Sequence, residues 1–273
     1  MDLHSFEGLS KADAPVLRPT EYAAWKADPA GFTLDGAAPV LDLWARAAEA
    51  WVDLFPLSPS PCAPTAQLVV AHNAINQALV ATAVGLPPTA FRRLAQGNGG
   101  VTTLSFPTPS TVAVRGLNVT PALALAPRKE RGKGKDGGGL VAWLAVAPPD
   151  RPPPLPAALA GLAPHVLVHC GSVSKTVAVA VAAGVGAGGV AAADDAWAAA
   201  AAAAAAGRSP VVLALAPPAV VAAALAAAVG ARGLPFSVDA GSVSLVEVAA
   251  GDARGARAVL RTTNWSESGW GVL

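Results

Sequence analysis

Charge, cysteine and long apolar runs are all scarce in this sequence. Only 14% of its 273 residues are charged and the formal net charge is +1. With no sustained field of one sign, the chain lacks the electrostatic footprint of a nucleic-acid or membrane-surface binder, and neither partner is expected. Its two cysteines, Cys62 and Cys170, stand far apart with no His or Cys at ligand spacing. A disulfide framework and a metal site are therefore not expected, no cofactor is called for, and a reducing compartment fits. The most apolar stretch, residues 176–206, is built of Ala, Gly and Val and broken by Asp194 and Asp195, so it reads as soluble helix instead of a membrane span. Met1 runs straight into patterned sequence without a basic or apolar leader. These exclusions leave a small molecule or another protein as the partner.

A chain of this length exceeds the roughly 100–200 residues of an ordinary domain. The clearest boundary is the glycine- and charge-rich stretch from Pro127 to Gly139, which has nothing to bury and reads as a linker. It divides the chain into residues 1–126 and 140–273. Residues 148–156, rich in proline, form a second and shorter break.

Ahead of the linker, residues 20–26 and 40–55 carry apolar side chains at helical spacing, with Pro39 placed to open the second helix. Leu43, Trp44, Ala47, Trp51 and Leu54 fall on one face. Residues 67–71 read as a buried strand that delivers His72 to its carboxyl end, followed by a helix over 74–84 closed by Gly85, a turn at 97–100 and a strand at 101–106. Strand, crossover helix and strand imply a right-handed parallel unit and hence an α/β class.

The same order returns after the linker. Residues 69–75 face 214–220, Val84-Gly85 faces Val229-Gly230, residues 97–101 face 238–242, and the Arg-x-x-Asn of Arg115 and Asn118 matches that of Arg261 and Asn264. The ordered series points to an internal duplication. In it, Pro217 takes the place of His72. A histidine at the carboxyl end of a parallel strand lies where such sheets bind ligands, which makes His72 the candidate functional residue.

Residues 68–75 (Leu-Val-Val-Ala-His-Asn-Ala-Ile), followed by Leu79, Gly85-Leu86, Phe91-Arg92 and Asn98-Gly99-Gly100-Val101, resemble the second-histidine segment of the phosphoglycerate-mutase-like histidine phosphatases. Residues 2–9, 25–29, Phe32 and 43–46 continue that resemblance, so that it covers nearly all of residues 1–120. The Ala-His-Asn-Ala-Ile-Asn-Gln form at 71–77 is most similar to the plant and algal 2-carboxyarabinitol 1-phosphate phosphatase group. The resemblance implies a three-layer α/β/α fold in two copies, and hydrolysis of a sugar-phosphate monoester through a phosphohistidine. One histidine, in an Arg-His-Gly motif, attacks phosphorus, while arginines and a second histidine hold the developing charge and a carboxylic acid protonates the leaving oxygen. His72 matches the second histidine, and Asn73 stands where that family usually has glycine, with substrate binding as its implied role. Chloroplast location is implied by the subgroup alone.

No Arg-His-Gly occurs in the sequence, and Glu7 aligns with a later glutamate instead of the acid. The first copy is accordingly expected to be incomplete at its N-terminus, inactive by itself, and in need of a complementing N-terminal segment. In the second copy, Ala147-Pro148-Pro149 would occupy the Arg-His-Gly position, and Pro217 can neither donate a hydrogen bond nor accept a phosphoryl group. Residues 165–176 have the outline of a cysteine-phosphatase loop around Cys170. The position of its arginine clamp is held by Thr176, however, and Lys175 lacks the planar fork. A non-catalytic binding or assembly module that keeps the fold is the alternative reading.

Overall fold

The computed structural model describes residues 2–10, 12–55, 66–108, 111–123, 139–146, 153–160, 162–170, 172–206, 211–233, 235–249 and 258–266. They fall into two compact units, Met1–Gln96 and Gly97–Leu273. The expected boundary at 127–139 differs because the strands at 101–119 share a sheet with the C-terminal strands. Apart from Gly139, that linker lies outside the described residues, as does Cys62.

The first unit is helical. Its helices are α1 (Ala14–Leu17), α2 (Pro19–Ala27), α3 (Pro39–Leu54) and α4 (Asn73–Ala83). Prolines open the first three, where a missing N–H costs nothing. The predicted face of α3 is the buried one, through Val40, Leu43, Trp44 and Ala47. Two indoles then fasten α3 to the α4 segment. Trp44 Nε1 donates to the Leu86 carbonyl at 3.0 Å, and Trp51 Nε1 donates to Thr82 Oγ1 at 3.0 Å and to the Leu79 carbonyl at 3.2 Å. Phe6 stacks on Phe32, Trp25 meets Phe32 edge-on at 5.4 Å, and Trp25 and Trp44 each lie 6.0 Å from Phe91. Fully burying a large apolar side chain contributes about 1.5–3 kcal/mol, and this aromatic cluster supplies such burial at Phe6, Trp25, Phe32 and Trp44. Gly85, at φ +71°, closes α4 as expected.

Residues 67–71 correct the sequence reading. They belong to no sheet, and Leu68, Val69 and Val70 are 89%, 43% and 86% exposed. A strand is held by its neighbours, and among the described residues none lies beside this one. Without it the predicted parallel strand–helix–strand unit does not form.

The second unit is built on an eight-stranded sheet. Its strands are β1 (Val101–Thr108), β2 (Thr111–Val119), β3 (Gly139–Ala145), β4 (Val166–Cys170), β5 (Val190–Ala193), β6 (Val211–Ala216), β7 (Val243–Val248) and β8 (Val259–Trp265), in the order β1-β2-β8-β7-β3-β6-β4-β5. The fold is α/β, but the sheet is mixed where mainly parallel pairing was expected. β3, β6, β4 and β5 pair in parallel, whereas β7, β8, β2 and β1 are joined antiparallel. Hairpin connections such as the two residues between β1 and β2 permit only the antiparallel form. The interposed helices are α5 (Lys175–Val185), α6 (Ala196–Ala205) and α7 (Pro218–Val229), so residues 176–206 are two helices separated by β5, and no helix among the described residues is long and apolar enough to cross a membrane. Ser174 caps α5 by accepting from the Val177 N–H, and Asp195 caps α6 through the Ala198 N–H. Val177, Val181 and Val185 of α5 share the main core with Leu140, Ala142 and Leu144 of β3.

Candidate functional site

His72 is exposed and occupies the N-cap of α4 in extended backbone (φ −79°, ψ 160°). The helix begins with the Asn76 N–H donating to the His72 carbonyl at 3.0 Å. The N–H groups of Asn73, Ala74 and Ile75 therefore have no acceptor within the helix, as at any helix start. Those donors and the positive end of an 11-residue helix favour an anion beside the imidazole.

Asn73 is held firmly. Its Nδ2 donates to the Gln96 carbonyl and its Oδ1 accepts from Gln77 Nε2, while Gln77 Oε1 accepts from the Arg92 N–H at 2.7 Å. The orientations of both amides follow from the ends of this relay, since a carbonyl can only accept and a backbone N–H can only donate. Asn76 Nδ2 adds a bond to the Ala71 carbonyl at 3.0 Å. Gln77 is buried and Arg92 adopts φ +70°. The Arg92 guanidinium lies 4.9 Å from the Trp25 ring centroid and 5.3 Å from that of Phe91; burial lowers its pKa from the ordinary arginine value. The relay thus ties the residue after His72 to a cation held on the aromatic core.

Gln77 was not foreseen as part of the site. The four-residue spacing from Asn73, which places the two amides on one helix face, was its available signal. Glu7 is exposed and its carboxylate accepts from the Leu3 N–H at 3.2 Å.

In the second unit, Pro217 is the N-cap of α7 (φ −59°, ψ 153°), as His72 is of α4. Gly230 closes α7 at φ +70°, matching Gly85 at +71°. Cys170 ends β4, with its Sγ 3.3 Å from Ser172 Oγ. His169 Nδ1 faces the carbonyls of Cys170 and Val173 at 3.2 and 3.1 Å, a contact that requires Nδ1 to carry the proton and so prevents it from acting as a base toward the thiol. Among the described residues no group of three His, Cys, Asp or Glu side chains could hold a metal ion.

The two turns paired in the sequence share a backbone geometry. The Gly97 N–H donates to Asn118 Oδ1 at 2.6 Å, and the Asp239 N–H donates to Asn264 Oδ1 at 2.7 Å. The Gly100 N–H returns to the Gly97 carbonyl and the Ser242 N–H to that of Asp239, with Gly99 and Gly241 both at positive φ. Gly97 therefore matches Asp239, one residue later than the sequence pairing, because matching was guided by side chains where the turn is specified by backbone bonds.

Residues 1–120 match the Histidine phosphatase superfamily (branch 1). A 131-residue stretch is 40% identical to the "Probable 2-carboxy-D-arabinitol-1-phosphatase" of Arabidopsis thaliana, covering 46% of this chain and 26% of that protein. A 138-residue stretch is 36% identical to the 2-carboxy-D-arabinitol-1-phosphatase of Triticum aestivum, covering 49% of this chain and 27% of that protein. The matched part spans about a quarter of the length of these curated relatives. No solved structure matches the chain.

Proposed function

Taking residues 1–120 as a histidine-phosphatase-superfamily segment, we propose that they supply the second-histidine wall of a site that hydrolyses a sugar-phosphate monoester. His72 donates to the phosphoryl oxygens, the amides at the start of α4 add to the same charge, and Asn73 offers its remaining amide N–H to the substrate while the Gln77–Arg92 relay fixes it. The carrying observation is the placement of an exposed imidazole at the mouth of a helix whose first N–H groups are uncommitted. The 273 residues contain no Arg-His-Gly, so we assign them no turnover by themselves. A nucleophile from a complementing segment completes the site in this reading. The names of the plant relatives support a sugar phosphate as substrate class, and kinship with plant proteins supports a chloroplast location.

We further propose that residues 140–273 are a degenerate second copy of the unit begun in 1–126. The matched caps, turns and asparagines support it, and Pro217 in the place of His72 favours a structural role for that half. A non-catalytic assembly module is the reading that this substitution would favour for the whole chain.

Titration of the chain with a sugar monophosphate, followed by 31P and histidine imidazole NMR, tests the site. Saturable shifts at His72 that vanish in His72→Ala, with α4 intact, are the expected result. Shifts centred on Cys170 or Lys175, or none at all, would reject it.

A further inference from the structure

We propose that the β2–β8 seam is a two-fold interface of the kind that joins two subunits, closed here within one chain, and that the partner it fits is the same seam of a second copy, reached when two chains exchange β2. This rests on the duplication reading. The hairpins β1–β2 and β7–β8 share one register. Val101 opposes Val119 and Ser105 opposes Ala113, as Val243 opposes Trp265 and Glu247 opposes Val259, and the two pairs between them correspond in the same way. Both ladders also shift at the same two places along these pairs. Under this matching Asn118 corresponds to Asn264, and Arg115 to Arg261.

The bonds across the seam obey that correspondence. Asn118 Nδ2 donates to the Arg261 carbonyl and Asn264 Nδ2 to the Arg115 carbonyl, so each asparagine holds the counterpart of the residue that its own counterpart holds. Leu117 pairs with Thr263, which is its own counterpart, and that is where a two-fold axis must cross. Reciprocal contacts around a self-paired centre are the signature of an isologous interface. Repeats stacked head to tail would pair unlike positions instead.

The axis position also decides which strands meet. Thr263 Oγ1 accepts from the Leu117 N–H, Thr262 Oγ1 donates to the Leu117 carbonyl, and both threonines are buried. Two β2 strands would set Leu117 against Leu117 and deprive these backbone groups of their hydroxyl partners, which is destabilising in a buried position. The partner of β2 is therefore β8, of its own chain or of another. The seam contacts are the same in both cases, so the connection between β2 and β3 and the protein concentration decide which forms. β2 and β3 are antiparallel and three positions apart in the sheet, which brings Val119 and Gly139 to the same end, about 14 Å apart across the strands at ordinary spacing. Residues 120–138 span this with length to spare and favour the closed monomer, with an effective concentration on the order of millimolar.

The test compares the full chain with two linker variants. Replacing residues 121–138 by a Gly/Ser linker of equal length should leave a monomer. Deleting them leaves Thr120 alone, a reach of about 7 Å, and should give a dimer by light scattering. Both variants lack the same residues, so length alone separates them. The amide resonances of Gly97 and Asp239, which donate to Asn118 Oδ1 and Asn264 Oδ1, should be alike in monomer and dimer, and Asn118→Ala should weaken the dimer about tenfold or more. The full chain, refolded from urea at concentrations rising to about millimolar, should form the same dimer in growing proportion, and this measurement carries the test if the deletion variant does not fold. A monomeric deletion variant with both amides in place, a dimer indifferent to Asn118→Ala, or a full chain that stays monomeric throughout overturns the proposal. Any of these with the Asn118–Asn264 coupling intact rejects exchange and leaves the duplication standing, whereas unlike responses to Asn118→Ala and Asn264→Ala reject the duplication itself.

Discussion

Asn118 and Asn264 bond to each other's strands reciprocally: Asn118 Nδ2 donates to the Arg261 carbonyl at 2.6 Å, and Asn264 Nδ2 donates to the Arg115 carbonyl at 2.8 Å. Both residues adopt positive φ, +49° and +56°, a region that asparagine tolerates better than most side chains. Between them Leu117 pairs with Thr263, whose Oγ1 accepts from the Leu117 N–H at 3.1 Å, and Thr262 Oγ1 donates to the Leu117 carbonyl at 3.0 Å. Two asparagines therefore close the β2–β8 seam and set the turn ahead of each hairpin.

Asn118→Ala should cost roughly 2–4 kcal/mol, from lost bonds to a turn N–H and a strand carbonyl and from alanine at positive φ. Asn118→Gly should recover about 1 kcal/mol of this, because glycine has no Cβ to strain. Asn264→Ala should behave alike, and the double variant should deviate from additivity by about 0.5–2 kcal/mol. Urea unfolding measures all three. Full additivity would mean that the two bonds act independently across the seam.

Arg92 joins two opposing effects. Its guanidinium stacks on Trp25 and Phe91, while its backbone sits at φ +70°. Arg92→Ala loses the ring contacts, about 0.5–2 kcal/mol, and keeps the strain. Arg92→Gly loses the same contacts but relieves roughly 1 kcal/mol of strain. The glycine variant should therefore be the more stable of the two by tryptophan-monitored unfolding, and a reversed order would show that the positive φ stores no strain.

These relationships explain which parts of the molecule were legible in sequence. α3 and α4 were read almost to the residue because apolar spacing, Pro39 and Gly85 all agreed. The asparagine matches were visible as Arg-x-x-Asn, but their meaning lay in backbone bonds across a sheet, which spacing does not report. Residues 67–71 carried a strand's composition and still remained outside any sheet, since pairing requires a neighbour that composition cannot supply. The residues carrying the family resemblance divide in the same way. Trp25, Phe32, Trp44 and Phe91 are core packing, while His72 faces outward as chemistry requires.

Asp35 provides a pH test. The neighbouring Ser5 hydroxyl, and the Ser5 backbone N–H that donates to the carboxylate at 3.0 Å, hold its carboxyl below the ordinary value. A carboxylate whose pKa is lowered on folding adds stability above its unfolded pKa, about 4, and loses it as pH falls through the folded value. NMR titration should find the Asp35 midpoint below the ordinary aspartate value. Ser5→Ala should raise it, and an unchanged midpoint would mean that the serine hydroxyl has no part in the shift.

His72 and Cys170 compete for the role of phosphate chemistry. A fusion placing an Arg-His-Gly-bearing segment of the histidine-phosphatase type ahead of this chain should hydrolyse sugar monophosphates. In it, His72→Ala removes one donor to the charge that develops on phosphorus, and loss of such a donor typically costs about 3–4 kcal/mol of barrier, or roughly two to three orders of magnitude in turnover. Gln77→Leu leaves His72 in place but breaks the relay through Asn73 and Arg92, so it should reduce turnover by a smaller factor while weakening substrate binding. Cys170→Ser should leave both unchanged, because the thiol has no arginine beside it in the loop and His169 Nδ1 is committed to two carbonyls. Near-complete loss in Cys170→Ser with activity retained in His72→Ala would transfer the chemistry to the second unit and displace the histidine-phosphatase assignment of the site.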